Sequence, residues 1–228
     1  FPEDEGILGY FNLKAGIFNG MRSDASENDN NKDFIGHFGF QLPFSEAGLA
    51  VDGGVSLYSG NVTSRSPVVY TMASGGGRAF VRDSSTHNIN KNFERVDVGG
   101  DMEIYYDLPV LGGLALRGEY IAGTQPCSLK SASFYNPTGA DSVFVRKVHG
   151  FYMNYIQNIG IANQFVLKYD VFDPNEEVEG SDIGKPGSNL TAADIKYSTW
   201  GLGWIYHWNA NVKLTAYYEL VQNEKVNA

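Results

Sequence analysis

Charged side chains recur at every second position in several stretches of this chain, and that spacing is where its chemistry can be read. Along 93–108, Arg95, Asp97, Asp101 and Glu103 fall on one side of an alternation whose other side holds Val96, Val98, Met102, Ile104, Tyr106 and Leu108. A period of two places successive side chains on opposite faces of an extended strand, so one face is charged and the other apolar. The same register gives a charged set of Lys14, His37, Asp52, Arg95, Asp97, Asp101, Glu103, Arg117, Glu119, Lys168, Asp170, Lys213 and Glu219. Mixed charges around a water-filled space set up a transverse field that suits hydrophilic solutes and disfavours apolar ones. The bland alternative is that these groups only staple neighbouring strands together. Acids outnumber bases in the set, whereas anion selectivity needs lysines or arginines at the constriction.

Catalysis has no comparable support. His37, His87, His149 and His207 show no metal-ligand spacing, and Gly-x-Ser-x-Gly, His-Glu-x-x-His and Cys-x-x-Cys are all absent. No enzyme activity, cofactor or metal is therefore expected. The single Cys127, expected in a loop, can make no internal disulfide. Ser74-Gly75-Gly76-Gly77-Arg78 lacks the Gly-Lys-Ser/Thr of a phosphate loop and reads as flexible backbone. Two acidic groups, Asp24, Glu27, Asp29 and Asp33 and then Glu176, Glu177, Glu179, Asp182 and Asp194, follow no EF-hand pattern. They read as solvated surface, with ion bridges to lipopolysaccharide as the alternative.

The elements that must position the charged set are strands. The 228 residues are 43% hydrophobic, 14% aromatic and only 19% charged, a β-rich globular or membrane composition. No run nears the roughly 18 to 20 apolar residues of a spanning helix, which excludes a helical membrane protein but not a barrel. The net charge of −9 argues against nucleic acid as a partner. Phe1-Pro2-Glu3-Asp4-Glu5 has neither a basic nor an apolar leader region, so any export signal is expected to have been removed or to lie upstream.

About nine alternating segments, at 8–18, 34–43, 47–58, 93–108, 113–123, 148–157, 163–172, 195–208 and 211–221, have about the length a tilted strand needs to cross a bilayer. Short turns near 44–46, 109–112, 158–162 and 209–210 alternate with long polar loops at 20–33, 59–92, 124–147 and 173–194. Outer-membrane barrels have this asymmetry, and a soluble sandwich has no reason for it. Phe40, Phe44, Tyr105, Tyr106, Tyr206 and Trp208 flank the short turns, where amphipathic rings suit a headgroup region. The expected fold is all-β, a transmembrane antiparallel β-barrel in one domain spanning 1–228. Bacterial barrels have an even strand count, so an odd count leads us to expect a barrel incomplete at both ends.

Particular stretches carry a family resemblance. They are Lys14-Ala15-Gly16-Ile17-Phe18-Asn19-Gly20, Val98-Gly99-Gly100-Asp101-Met102-Glu103 with Leu108-Pro109, and Leu116-Arg117-Gly118-Glu119-Tyr120-Ile121-Ala122-Gly123-Thr124-Gln125-Pro126. Later come Tyr155-Ile156-Gln157-Asn158-Ile159-Gly160, Lys168-Tyr169-Asp170-Val171-Phe172-Asp173-Pro174-Asn175, Lys196-Tyr197-Ser198-Thr199-Trp200-Gly201-Leu202-Gly203-Trp204, and Tyr217-Tyr218-Glu219 with Asn223-Glu224-Lys225. Together these resemble the phosphate-selective porin O/P family of Bacteroidetes-type bacteria. The resemblance implies a barrel of roughly 16 strands, commonly trimeric, of which this chain is most of the C-terminal part. The family's closing strand with its terminal aromatic is absent after Ala228.

The expected function is an outer-membrane porin passing small hydrophilic solutes, with anions such as phosphate suggested by the resemblance. Its partners would be outer-membrane lipid and lipopolysaccharide, the solutes or ions, and two further copies in a homotrimer. Loop 59–91 carries Arg65, Arg78, Arg82 and Lys91 against Asp83 alone and is expected to fold into the barrel as a basic constriction. The competing function is a surface adhesin or scaffold barrel with a closed interior.

Overall fold

Each alternating segment forms a strand of one sheet in a computed structural model of the chain, which describes residues 6–20, 30–74, 78–132, 135 and 141–227. The strands are β1 (Phe11–Asn19), β2 (Lys32–Phe44), β3 (Leu49–Thr63), β4 (Val68–Met72), β5 (Phe80–Ser84), β6 (Asn92–Leu108), β7 (Gly112–Cys127), β8 (Val143–Ile159), β9 (Asn163–Asp173), β10 (Tyr197–His207) and β11 (Lys213–Asn223). Neighbours along β1-β2-β3-β6-β7-β8-β9-β10-β11 pair antiparallel, each next to its predecessor on this path. The sheet is open, because β1 pairs only with β2 and β11 only with β10. Asp24, Glu27, Asp29 and the glycines at 75–77 lie outside the described residues.

Pairing runs without a bulge, so sidedness carries from strand to strand. Lys14 faces His37, His37 faces Ser56, Ser56 faces Gly99, and the same row continues through Ile121, Gly150, Phe172, Tyr197 and Asn223. This face is concave, since side chains contributed from β3 round to β10, such as Ala50, Tyr105, Ala115, Ile156, Val166 and Ile205, line one cavity of about 560 Å³. The opposite face is apolar and uncovered, with Leu13, Val55, Val98, Met102, Trp200, Leu202 and Leu214 all exposed.

Short turns gather at one end. Gly48 and Gly160 take the left-handed conformation there, at φ 61° and 63°, which a side chain would oppose. Described parts of the connections after β3, β7 and β9 pack on one another at the other end. Phe80, Cys127, Phe144, Val178, Ile183 and Leu190 form a buried cluster there, and Val69, Tyr135 and Val143 form a second.

Two sequence expectations need correction at that end. The stretch 59–92 is not a structureless loop, since β3 runs to Thr63 and β4 pairs antiparallel with β5, with Val69 and Tyr70 of β4 also pairing in parallel with Val143 and Phe144 of β8. Likewise 124–147 is strand at both margins, and Cys127 ends β7 in a buried position instead of sitting in a loop. The physical reason is shared. Where loops cover a strand on both faces the two-residue alternation disappears, and Val143, Phe144 and Arg146 are all buried.

One turn stores strain. Between β6 and β7, Val110 sits at φ 73° and fully exposed, a conformation that a β-branched residue adopts at a cost of about 1–2 kcal/mol. Val110→Gly removes that cost while adding some unfolded-state freedom, so a net gain of about 0.5–1 kcal/mol is expected as a higher urea midpoint. An unchanged or lower midpoint would show that the turn is relaxed.

Candidate functional site

The concave face collects every charged residue singled out from the sequence alternation. One cross-strand row reads Asp52, Glu103, Arg117, Asn154, Lys168, Gly201, Glu219, and the next reads Gly54, Asp101, Glu119, Tyr152, Asp170, Thr199. Six carboxylates therefore share these two rows with two basic groups. Lys14 and His37 lie one row further from the short turns, and Asp97 and Arg95 further still. Lys213 stands opposite His207 at the short-turn end.

Four bases on this face are engaged. Lys168 Nζ lies 2.6 Å from Asp170, Arg117 Nε 3.6 Å from Glu103, and His37 Nε2 3.5 Å from Asp101. Arg95 lies over the Tyr58 ring, 4.5 Å from its centroid, and donates to the Tyr58 hydroxyl, which in turn donates to Asp33. Asp33, read from sequence as part of a solvated acidic group, is instead buried and also accepts from the Asn61 amide. By contrast Asp52 directly faces Glu103, and Asp101 directly faces Glu119. Like charges opposed across strands repel. The band therefore carries excess negative charge.

Aromatic residues interleave with these charges. Tyr217 of β11 lies across Gly201 and Gly203 of β10, filling space that a Cβ at either glycine would need. A ring packed over a cross-strand glycine restores the contact area the glycine lacks.

Arg65, Arg78, Arg82 and Lys91 are spread along the insertion between β3 and β6. Arg65 donates to Asn90, and Lys91 stands over the Phe93 ring at 5.1 Å, so both belong to its base. Arg82 is exposed on β5 opposite Tyr70. Arg78, two residues before β5, is paired with Glu179 at 2.6 Å and Asp182 at 3.5 Å. The acids of 174–194 are likewise tied down, Glu176 to His149, Glu177 to Lys147 and Asp182 to Lys185.

A buried network that the alternation did not reveal anchors this end. Arg146 and Asp194 are fully buried and joined at two points, 2.8 and 3.3 Å, while Arg146 also donates to Cys127 Sγ and the Ser128 carbonyl. Asn175 donates to Asp194 from a third segment. The partners stand 48 residues apart, and the only hint in sequence is an arginine amid apolar neighbours at Val143, Phe144, Val145 and Val148.

Scanning against protein-family models finds no match, and searches of curated proteins and of solved structures also find none. What defines this chain as a class is therefore its geometry, an open, curved all-β sheet charged on its concave face and apolar on its outer face. Among the described residues no group of three or more His, Cys, Asp or Glu is placed to hold a metal, and no helix is long and apolar enough to cross a membrane.

The contact between the hairpin and the 174–196 segment should respond to acid. Hydrogen bonding from Arg78 holds the Glu179 carboxyl below the usual carboxylate range, and hydrogen bonding from Lys185 does the same for Asp182. A depressed folded value contributes stability above the unfolded value of about 4 that is lost as pH falls through the lower folded value. Amides of Phe80 and Leu190 are thus expected to lose hydrogen-exchange protection between about pH 5 and pH 3 while amides of β6 and β7 stay protected. Arg78→Ala at pH 7 should reproduce much of that loss. Protection unchanged in both experiments would mean that apolar packing alone holds the contact.

Proposed function

We propose that this sheet is part of the wall of an outer-membrane diffusion channel for small hydrophilic solutes, its concave face turned to water and its outer face to lipid. The observation that carries this reading is the exposed apolar band backed residue for residue by the charged face. On β6 the band runs from Val96 to Leu108. That is about 40 Å along the strand, or about 30 Å of thickness at a tilt near 40°. At its upper margin, toward the long connections, the outer face turns polar, at Thr124 and Lys147 level with Val96 and at Asn61 and Glu94 one row beyond. At its lower margin, Phe44, Tyr106, Tyr206 and Trp208 lie exposed near the short turns, where rings favour the headgroup region. A water-soluble monomer rarely exposes a contiguous apolar surface of this extent.

The reading has further parts. An unpaired backbone group in lipid costs several kcal/mol, so in a bilayer the free edges of β1 and β11 must be paired by strands beyond those described. A trimer and a family place among porin O/P proteins rest on the resemblance of the strand and turn segments. The wall itself favours cations and neutral solutes over phosphate, because six carboxylates share its two central rows with only Arg117 and Lys168, both of these are bound to acids, and Arg78 is committed to Glu179 and Asp182. The folded loop assembly at the long end gives some weight to a closed surface scaffold instead.

Two measurements test this. The full protein in a planar bilayer is expected to open discrete channels whose reversal potential under a KCl gradient favours potassium. An anion-favouring potential would overturn the charge argument, and no conductance would turn the reading to the scaffold. Separately, Leu202→Lys on the outer face should lower stability in detergent or lipid by about 2–4 kcal/mol, while Thr215→Lys, at an exposed position on the concave face, should cost under about 1. Equal costs would place both faces in water.

A further inference from the structure

The charged band does not run evenly round the concave face. Between β7 and β10 it opens into a groove of about 530 Å³ whose lining includes Glu119, Tyr152, Asn154, Lys168, Asp170, Phe172 and Tyr197. Its depth comes from Gly150. In the row Ile121, Gly150, Phe172, Tyr197 the glycine alone has no side chain, and a Cβ there would touch Ile121 and Phe172 at 3.5 Å. One wall is aromatic, with Phe172 and Tyr197 ring centroids 5.7 Å apart and Tyr197 40% exposed. The other wall is polar, with Tyr152 directly between Glu119 and Asp170 across the strands. Lys168 neutralises Asp170 at 2.6 Å.

This pairing of surfaces is selective. A bare phosphate would meet two carboxylates and one ammonium already engaged, and an apolar solute would strand those groups without water. A sugar ring has both surfaces the groove requires, an axial C–H face for the aromatic rings and equatorial hydroxyls that both donate and accept. Carboxylate, ammonium and amide at Asp170, Lys168 and Asn154 meet both demands.

We infer that this groove is a saccharide subsite on the channel wall, binding a neutral sugar unit weakly enough to release it onward. The inference rests on the channel reading, and it narrows the solute class from hydrophilic molecules to neutral oligosaccharides. Binding at a wall subsite must be favourable enough for entry and weak enough for exit.

The test uses ion current through the full protein in a planar bilayer, with maltotriose and cellotriose added at millimolar concentration and inorganic phosphate as comparison. At least one sugar is expected to reduce the current in a saturable manner, and phosphate is not. Tyr197→Ala should raise the half-blocking sugar concentration about fivefold, by removing one ring contact, and Tyr197→Phe should restore it. Gly150→Leu, which fills the groove, should abolish the block. Conductance that neither sugar reduces, or a sugar block equal in all variants, overturns the subsite and leaves the channel standing. A block by phosphate alone overturns it in favour of anion binding. Absence of any conductance overturns the channel and the subsite together.

Discussion

From β1 to β11 the backbone ladder admits no extra residue, and side-chain sidedness has a period of two. One inserted residue in any strand would carry all later charges of that strand to the apolar face and its apolar residues to the charged one. The division between faces therefore depends on register before it depends on composition. Glycine helps keep that register on the concave side. At Gly201 and Gly203 the Tyr217 ring takes the volume of two missing side chains, so β10 and β11 stay in contact where a pair of bulky residues would push them apart.

At the end bearing the long connections a different logic applies. The strands outgrow the alternating pattern, and what holds the connections is a small number of buried polar contacts embedded in apolar packing. Arg146 is the centre of these. Its guanidinium lies over the rings of both Phe80 and Phe144, 5.4 and 5.2 Å from their centroids, and donates to Asp194, Cys127 and Ser128. Burying such a pair gains little over apolar residues of the same shape, whereas removing one partner leaves a stranded charge. A contact of that kind specifies where a segment docks more than how strongly.

The wall was legible in the sequence because it obeys a rule of local period. Lys14, Glu103, Lys168 and Glu219 could all be assigned a side without knowing a single contact, and pairing puts them on that same side. Asp33 was misread because an acidic neighbourhood says nothing about a tyrosine 25 residues away that buries it. The β4–β5 hairpin was missed because its strands are only five residues long and its β4 pairs with β8 far along the chain, beyond any local signal. Arg146 and Asp194 were missed for the same reason, with each looking like an ordinary surface charge until the other is placed beside it.

The parallel seam between β4 and β8 also sets an order of events. Val69 waits for Val143, and Asn189 reaches back 109 residues to the Phe80 carbonyl, so the hairpin has no lasting place until β8 and the segment after β9 have been delivered. Contacts this distant in sequence carry a large loop-closure cost and form late. The nine wall strands, joined largely to their sequence neighbours, can zip first. Pairing of the long strands thus precedes the docking of the hairpin and of the connections packed around it.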